Sequence, residues 1–165
     1  WGDSGSQSND LTYNATDHTA VTAAEFRAAY HQARAAMVAY KNDQGKNLNR
    51  PVIGEMNNLL LLVPSTLILA AKEGLTAQLT GGGNTNVVLD APMIVECAYL
   101  TSGVKFYLLN LNDVLRPFVF QARQPIRRQM KGMDDREFKD VKFMADARYN
   151  CGYLAWWTAV LTTFN

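Results

Sequence analysis

The chain has 165 residues, of which 48% are apolar and 19% are charged, and its formal net charge is +1. This length suits one domain, or one domain with part of a second, and can bury a hydrophobic core. The near-neutral charge excludes a general electrostatic attraction to nucleic acid or to an anionic membrane. The polar start and the short apolar runs predict neither a signal peptide nor a membrane span.

The first part of the chain predicts a flexible leader and then a helix. Residues 1–19 are rich in Gly, Ser, Asn, Asp and Thr and show little periodicity. Thr22-Ala23-Ala24-Glu25 matches a capping box, in which the side chains of Thr22 and Glu25 cap each other's backbone amides. Gly45 suits a left-handed turn after the helix. Apolar residues recur at spacings of three and four, which predicts one buried stripe: Phe26, Tyr30, Ala33, Met37 and Tyr40.

A buried strand and a second helix follow. Leu59–Val63 is apolar without alternation, which predicts a strand buried on both faces. Pro64 ends this strand, and Ser65 is expected to cap a helix that runs to about Leu79. We expect Leu61 and Leu67 to join the core.

The remaining elements are predicted to be strands. Strands around Met93–Leu100 and Lys105–Asn110 are expected to form a hairpin through Thr101-Ser102-Gly103. Another strand is predicted at Phe118–Ala122, and a polar, charge-dense stretch separates it from a final, half-buried strand that starts at Val141. The order of helix, strand, helix and then strands predicts an α+β fold.

Residue types that carry catalysis or bind metals form no recognisable site in this sequence, since the carboxylates near Asp134 alternate irregularly with cations, as in a mixed-charge loop. His18 and His31 lack a Cys or carboxylate at a ligand spacing, so we assign structural roles to both. The triple glycine at 81–83 lacks the Gly-Lys-Ser/Thr ending of a phosphate loop. Cys97 and Cys151 lie in apolar, strand-like segments and are expected to be buried, reduced thiols. The sequence therefore predicts no catalytic, cofactor-binding or metal-binding site.

Two blocks of opposite charge begin just before the predicted strand Phe118–Ala122 and end before the final strand. The cationic block comes first and is followed by carboxylates: Arg116, Arg123, Arg127, Arg128 and Lys131, then Asp134, Asp135, Glu137 and Asp140. Two interpretations remain open for this segment, a solvated loop or a charge-paired contact with a neighbouring subunit.

The chain closes with an aromatic segment. Tyr149, Tyr153, Trp156 and Trp157 could stack on nucleic-acid bases, but interleaved cations are lacking. Packing in the core or in a subunit interface is the better interpretation.

Two motifs, read together, resemble those of a known family. One is the step Leu62-Val63-Pro64 from strand to helix, and the other is the sequence DARYNCGY from Asp146 to Tyr153, followed by the aromatic tail. This pairing resembles the major head (capsid) subunits of Mu-like tailed bacteriophages. The similarity extends over nearly the whole chain, including the helix FRAAYHQARAAMVAYKNDQGKNL and the strand FVFQAR.

The resemblance implies a Hong Kong 97-type capsid fold. Residues 20–115 then look like the axial domain, and residues 116–165 look like the returning strands of the peripheral domain with its aromatic tail. The family's N-terminal arm, extended loop and spine helix have no counterpart in the sequence, so the chain looks like the C-terminal part of a subunit.

The implied function is structural rather than enzymatic. Copies of the subunit would assemble into an icosahedral shell that packages double-stranded DNA, with non-specific DNA contact and with scaffold or protease proteins as assembly partners. The implied location is the virion, with assembly in the bacterial cytoplasm. The residues expected at contacts between subunits are Arg123, Arg127, Arg128, Asp134, Asp135, Arg148, Trp156 and Trp157.

Two alternatives from other classes stay open at this point. An encapsulin-like nanocompartment subunit would share the fold but enclose protein cargo. A small-molecule enzyme would need a deep pocket lined by perturbed carboxylates or by His31.

Overall fold

The computed structural model describes residues 8–49, 58–79, 85, 91–131 and 142–165. The chain divides into two compact units: residues 1–117 with 155–165, here called the sheet unit, and residues 118–154. The predicted α+β class is confirmed. The elements in chain order are β1 Asp10–Tyr13, α1 Ala23–Ala39, β2 Leu59–Val63, α2 Ile68–Leu75, β3 Met93–Glu96, β4 Lys105–Asn110, β5 Phe118–Lys131, β6 Lys142–Tyr153, a 3₁₀ turn Trp156–Thr158 and β7 Ala159–Phe164.

The first helix begins and ends as predicted. The Glu25 amide donates to the Thr22 hydroxyl oxygen at 3.3 Å, and the Thr22 amide donates to the Glu25 carboxylate at 3.0 Å, which completes the capping box. Tyr40 is extended, and Gly45 has a φ of 75° in the turn that follows. Local side-chain chemistry therefore determines the start of α1, and the extended backbone of Tyr40 ends it.

The second helix is shorter than predicted and starts later. Ser65 is not its cap, because residues 65–67 form a turn in which the Leu67 amide donates to the Pro64 carbonyl at 3.1 Å. The Thr66 hydroxyl instead donates to the Gly103 carbonyl at 2.7 Å. This bond connects the turn after β2 to the loop that leads into β4. The Thr66 side chain therefore makes a tertiary contact and does not cap the helix.

Five strands form one sheet in the order β1-β7-β4-β2-β3. The expected hairpin of β3 and β4 is wrong, because β2 lies between them and pairs parallel with β3 and antiparallel with β4. An apolar strand such as β2 is best placed in the sheet's interior, where neighbours on both sides satisfy its backbone groups. On its two faces, Leu59, Leu61 and Val63 are buried, whereas Leu60 and Leu62 are only half-buried.

The core lies between the two helices and one face of this sheet. Phe26 of α1 packs against Phe106 of β4 and Phe164 of β7, with ring centroids 5.0 and 5.9 Å away. The core predictions are confirmed for six of the seven residues named from the sequence, since only Tyr40, at the end of the stripe, is half-buried. The buried six are Phe26, Tyr30, Ala33, Met37, Leu61 and Leu67.

Both ends of the chain differ from the expected domain layout. Part of the expected flexible leader is ordered, because Asp10–Tyr13 forms β1 and pairs parallel with β7; residues 1–7 lie outside the described residues. The aromatic tail joins the sheet unit, as residues 155–165 supply the 3₁₀ turn and β7. Both additions are long-range pairings without a local signal. The assignment of the two units to axial and peripheral domains stays a prediction.

The cysteines are more accessible than expected. Cys97 is half-buried and Cys151 is exposed. Cys151 lies in β6, whose residues are exposed along its whole length, so its apolar neighbours in sequence do not bury it.

Candidate subunit interface

The second unit is built around a two-stranded antiparallel ribbon. Its strands β5 and β6 pair from Phe118 opposite Tyr153 to Lys131 opposite Lys142, and they are called the ribbon below. The predicted strand at Phe118–Ala122 is thus only the first part of β5, because the following polar residues up to Lys131 continue it. In a strand that is exposed on both faces, polar side chains remain in water, so they do not mark the end of the strand.

Two bulges interrupt the pairing, and both add a residue to β5. The register shifts once between Ala122 and Gln124 and again between Gln124 and Arg127. Pro125 lies in the second bulge, a position that tolerates a residue without an amide hydrogen. Each extra residue shifts the alternation of side chains along β5 by one position, so two extra residues restore it. The apolar residues of β5 before and after the bulges therefore lie on the same face of the ribbon.

One face of the ribbon is apolar and exposed. On it, Phe118 packs against Tyr153 and Phe120 against Tyr149, each with ring centroids 5.7 Å apart. Tyr153 is 82% exposed and Phe143 is 75% exposed. Exposed apolar side chains that share one face are typical of contact sites. This apolar face comprises Phe118, Phe120, Met130, Phe143, Tyr149 and Tyr153 as its large members.

The opposite face of the ribbon is polar. Arg127 lies across from Asp146 in the register, and Gln124 lies across from Arg148. The Gln124 side-chain amide donates to the Asp146 carboxylate. The two strands together contain six cationic residues and a single acidic one, so the ribbon is strongly cationic within a nearly neutral chain. This polar face also carries the apolar residues Val119 and Met144. Its polar members are Gln121, Gln124, Arg127, Gln129, Asp146, Arg148 and Asn150.

The arginines expected at subunit contacts all lie on the ribbon and are exposed. Arg127 and Arg148 are on the polar face, Arg128 is on the apolar face beside Ala145, and Arg123 is the extra residue of the first bulge. The expected acidic partners Asp134 and Asp135 lie outside the described residues. The segment from Arg123 to Lys131 is strand, so a solvated loop is the wrong description for it.

The two expected tryptophans lie in the other unit. Trp156 and Trp157 are half-buried in the 3₁₀ turn, with their rings 6.0 Å apart, and Trp156 packs against Tyr40 at 5.2 Å. The sequence reasoning missed the apolar face instead. The sequence did contain a signal for this face, namely the alternation of apolar and polar residues along β6. We interpreted that alternation as a half-buried strand, whereas β6 is exposed throughout.

Two titratable groups on α1, in the sheet unit, have clearly shifted pKa values. Backbone amides of Thr16 and Thr22 lower the pKa of Glu25 to about 2. Partial burial of the imidazole lowers the pKa of His31, and the positive charges of Arg34 and Arg27 lower it further. Over the described ranges, no three His, Cys, Asp or Glu side chains come together to hold a metal ion. In that same part of the chain, no helix is both long and apolar enough to cross a membrane.

Comparison with known proteins places the chain among phage capsid subunits. The family model for the "Mu-like prophage major head subunit gpT" matches residues 17–100 and 101–163. Among solved structures, the capsid of the Cyanophage P-SCSP1u matches with a TM-score of 0.59 and 12% identity, over 96% of this chain and 54% of that chain. The mature capsid of bacteriophage PhiM1 matches with a TM-score of 0.58 and 15% identity, over 96% of this chain and 52% of that chain.

The chain therefore spans about half the length of these capsid subunits. At such low identity the likeness establishes the fold, which is the Hong Kong 97-type capsid fold predicted from the motifs. No curated protein sequence matches the chain significantly. Family and fold together point to a structural protein of the phage capsid.

Proposed function

Because the chain belongs to the Mu-like prophage major head subunit gpT family, we propose that it is part of a major capsid subunit whose copies build the shell of a phage head. The observation that carries this proposal is the family match, which extends from residue 17 to residue 163. The family match favours a phage head subunit over an encapsulin-like nanocompartment, the first alternative. The shell would be icosahedral and would package double-stranded DNA with non-specific contacts.

The ribbon supports a role in assembly through its two different faces. We infer that the apolar face packs against another part of the complete subunit, because the matched capsid subunits are about twice as long. The resemblance implies a long spine helix in the peripheral domain, and a helix with one apolar stripe would cover side chains such as Phe120 and Phe143. Burying them would remove the largest exposed apolar surface of the ribbon.

The polar face is the proposed site of contact between copies. Arg127 and Arg148 of this face, with Arg123 of the first bulge and Arg128 of the opposite face, would meet carboxylates in a neighbouring copy, those of Asp134 and Asp135. The charge asymmetry of the ribbon supports this pairing. Exposed ion pairs contribute only about 0–1 kcal/mol each and are screened by salt. A closed shell repeats the contact many times, so weak pairs would set the registration of subunits without stabilising one subunit measurably.

The remaining partners follow from the family resemblance. We propose that Trp156 and Trp157 add apolar contact area beside a neighbouring copy, since both are half-buried rather than fully buried. Scaffold and protease proteins would act during assembly in the bacterial cytoplasm, and the finished location would be the virion. For an enzymatic role, the second alternative, the described residues provide no group of three metal-ligating side chains.

The decisive experiment identifies this chain in purified particles. Particles are isolated from cells in which the phage or prophage is induced, treated with nuclease and analysed by mass spectrometry and electron microscopy. The proposal expects peptides of this chain in the most abundant protein of closed shells that protect double-stranded DNA. Shells whose most abundant protein lacks these peptides would contradict it. Shells of this chain that enclose protein cargo instead of DNA would establish the encapsulin-like alternative.

A further inference from the structure

The segment that returns from the ribbon to the sheet is held by side-chain donors. This segment, Ala155–Ala159, is called the return turn; Ala155, Thr158 and Ala159 are buried in it. Four of its carbonyl groups accept hydrogen bonds from side chains. These bonds are Thr158 Oγ1 to Ala155 at 2.8 Å, Asn9 Nδ2 to Trp156 at 3.1 Å, Asn49 Nδ2 to Trp157 at 2.7 Å and Asn9 Nδ2 to Ala159 at 3.2 Å.

Asn49 is the point at which three parts of the sheet unit meet. It is 3% exposed, and its side-chain amide donates to the Met37 carbonyl in the last turn of α1 and to the Trp157 carbonyl, both at 2.7 Å. Its side-chain oxygen accepts from Asn110 Nδ2 at 3.1 Å. An asparagine side chain offers two donors and one acceptor oxygen, and Asn49 uses all of them.

The partners of Asn49 lie where the chain leaves the sheet unit and where it returns to it. Asn110 is the last residue of β4, after which the chain leaves for the ribbon at Phe118. Trp157 follows closely after Leu154, the last residue before the chain re-enters the sheet unit. Asn49 therefore bonds to both the departing and the returning segment. Because buried carbonyl groups that lose their donors destabilise the folded state, these bonds hold both segments in one arrangement.

We propose that Asn49, together with Asn110 and Asn9, forms a latch within the sheet unit. The latch fixes the end of β4, from which the chain leaves for the ribbon, relative to the return turn. Asn49 is then a positioning residue: its loss loosens these two segments locally, whereas loss of an ordinary core contact weakens the whole sheet unit. This property belongs to the isolated chain and holds whether or not the subunit assembles into a shell.

Hydrogen exchange on the 165-residue chain tests the latch. The amides of Ala159 and Leu161 report on the return turn, because they donate to the Trp156 and Asn9 carbonyls. In Asn49→Ala, these amides should exchange about tenfold faster or more, while those in the middle of α1 keep their wild-type rates. Asn47→Ala is the matched control, since Asn47 is exposed and lies two residues away; it should change neither region.

A second variant separates the latch from a general loss of stability. Asn110→Ala removes the bond to Asn49 but leaves the donors to Met37 and Trp157 in place, so it remains informative even if Asn49→Ala does not fold. It should raise exchange in the return turn without affecting the middle of α1. When both variants fold, their double variant should exchange less fast than independent effects predict. Equal acceleration in α1 and in the return turn, unchanged exchange in the return turn of Asn110→Ala, or strictly additive effects would overturn the proposal.

Discussion

Gly74 of α2 lies so close to α1 that a Cβ atom at this position would be 2.6 Å from the backbone carbonyl oxygen of Ala23. Cβ atoms do not approach a backbone atom at this distance, so the two helices can pack this closely because residue 74 is glycine. The contact joins the end of α2 to the first turn of α1, beside the capping box. It thus links a helix whose start was predicted correctly to one whose start was predicted wrongly.

Gly74→Ala should therefore destabilise the protein although alanine is the better helix former. The propensity gain is about 1 kcal/mol, whereas overpacking against a backbone atom forces a helix shift, and we expect a net loss of about 1–3 kcal/mol in the free energy of unfolding. Urea denaturation measures this change. Gly152→Ala is the matched control, because its Cβ would meet Val119 at an ordinary 3.8 Å. Equal stability of both variants would contradict the close approach.

Truncation of the core should be costly at two separate places. Met37→Ala on α1 and Leu61→Ala on β2 each leave a cavity in a well-packed interior and should lower the free energy of unfolding by about 2–5 kcal/mol. Leu69→Ala, at an exposed position on α2, should change it by less than about 0.5 kcal/mol. Thermal or urea denaturation of the three variants checks this prediction. A loss below about 0.5 kcal/mol at both Met37 and Leu61 would mean that the core is assigned wrongly.

Acidification should weaken α1 through its capping box. The pKa of Glu25 is about 2 in the folded protein and near 4.5 when unperturbed. A carboxylate with a lowered folded pKa contributes stability that is fully present above the unfolded pKa and is lost as the pH falls toward 2. The melting temperature should therefore fall between about pH 5 and pH 2, and less steeply in Glu25→Gln, which lacks the titrating charge. Glu73→Gln, which removes an exposed carboxylate on α2, should retain the wild-type slope.

Charge reversal on the ribbon should affect assembly but not folding. In the complete subunit, Arg127→Glu with Arg128→Glu should reduce shell formation, counted by electron microscopy, while the melting temperature stays nearly unchanged. Adding Asp134→Lys and Asp135→Lys should restore part of the assembly if the two blocks face each other across copies. Lys41→Glu with Lys46→Glu changes the net charge equally at exposed positions outside the ribbon and serves as the control. Normal assembly of the arginine variant at low salt would exclude the ribbon as a charge-paired contact.

The isolated 165-residue chain should fold without forming closed shells, and its apolar face should govern any self-association. Light scattering after size exclusion is expected to show a monomer or a small oligomer. Phe120→Ser with Phe143→Ser should shift the population toward monomer, because both side chains belong to the exposed apolar face. Gln121→Ser with Gln129→Ser makes the same replacement on the polar face and should have little effect. Uniform closed particles formed by the unmodified chain would contradict the first part of this prediction.

The sequence by itself determined the features that depend on neighbours along the chain. Thr22 and Glu25 are three residues apart and cap α1 as predicted, and Gly45 adopts its left-handed conformation just beyond the helix. The apolar stripe of α1 and the strand Leu59–Val63 were recognisable because hydrophobic periodicity reports which side of an element is buried. The family was recognisable for a different reason, since its motifs are retained in this chain.

Only the tertiary structure decided which strands pair and which surfaces stay open. β2 separates β3 from β4, and Asp10–Tyr13 joins the far edge of the sheet at β7, because pairing partners distant in sequence leave no local pattern. The alternation in β6 indicated that the strand has two different faces. The same period of two occurs whether the apolar face packs against a core or is exposed to solvent. Burial in the described ribbon depends on what packs against it, and that information lies outside the strand itself.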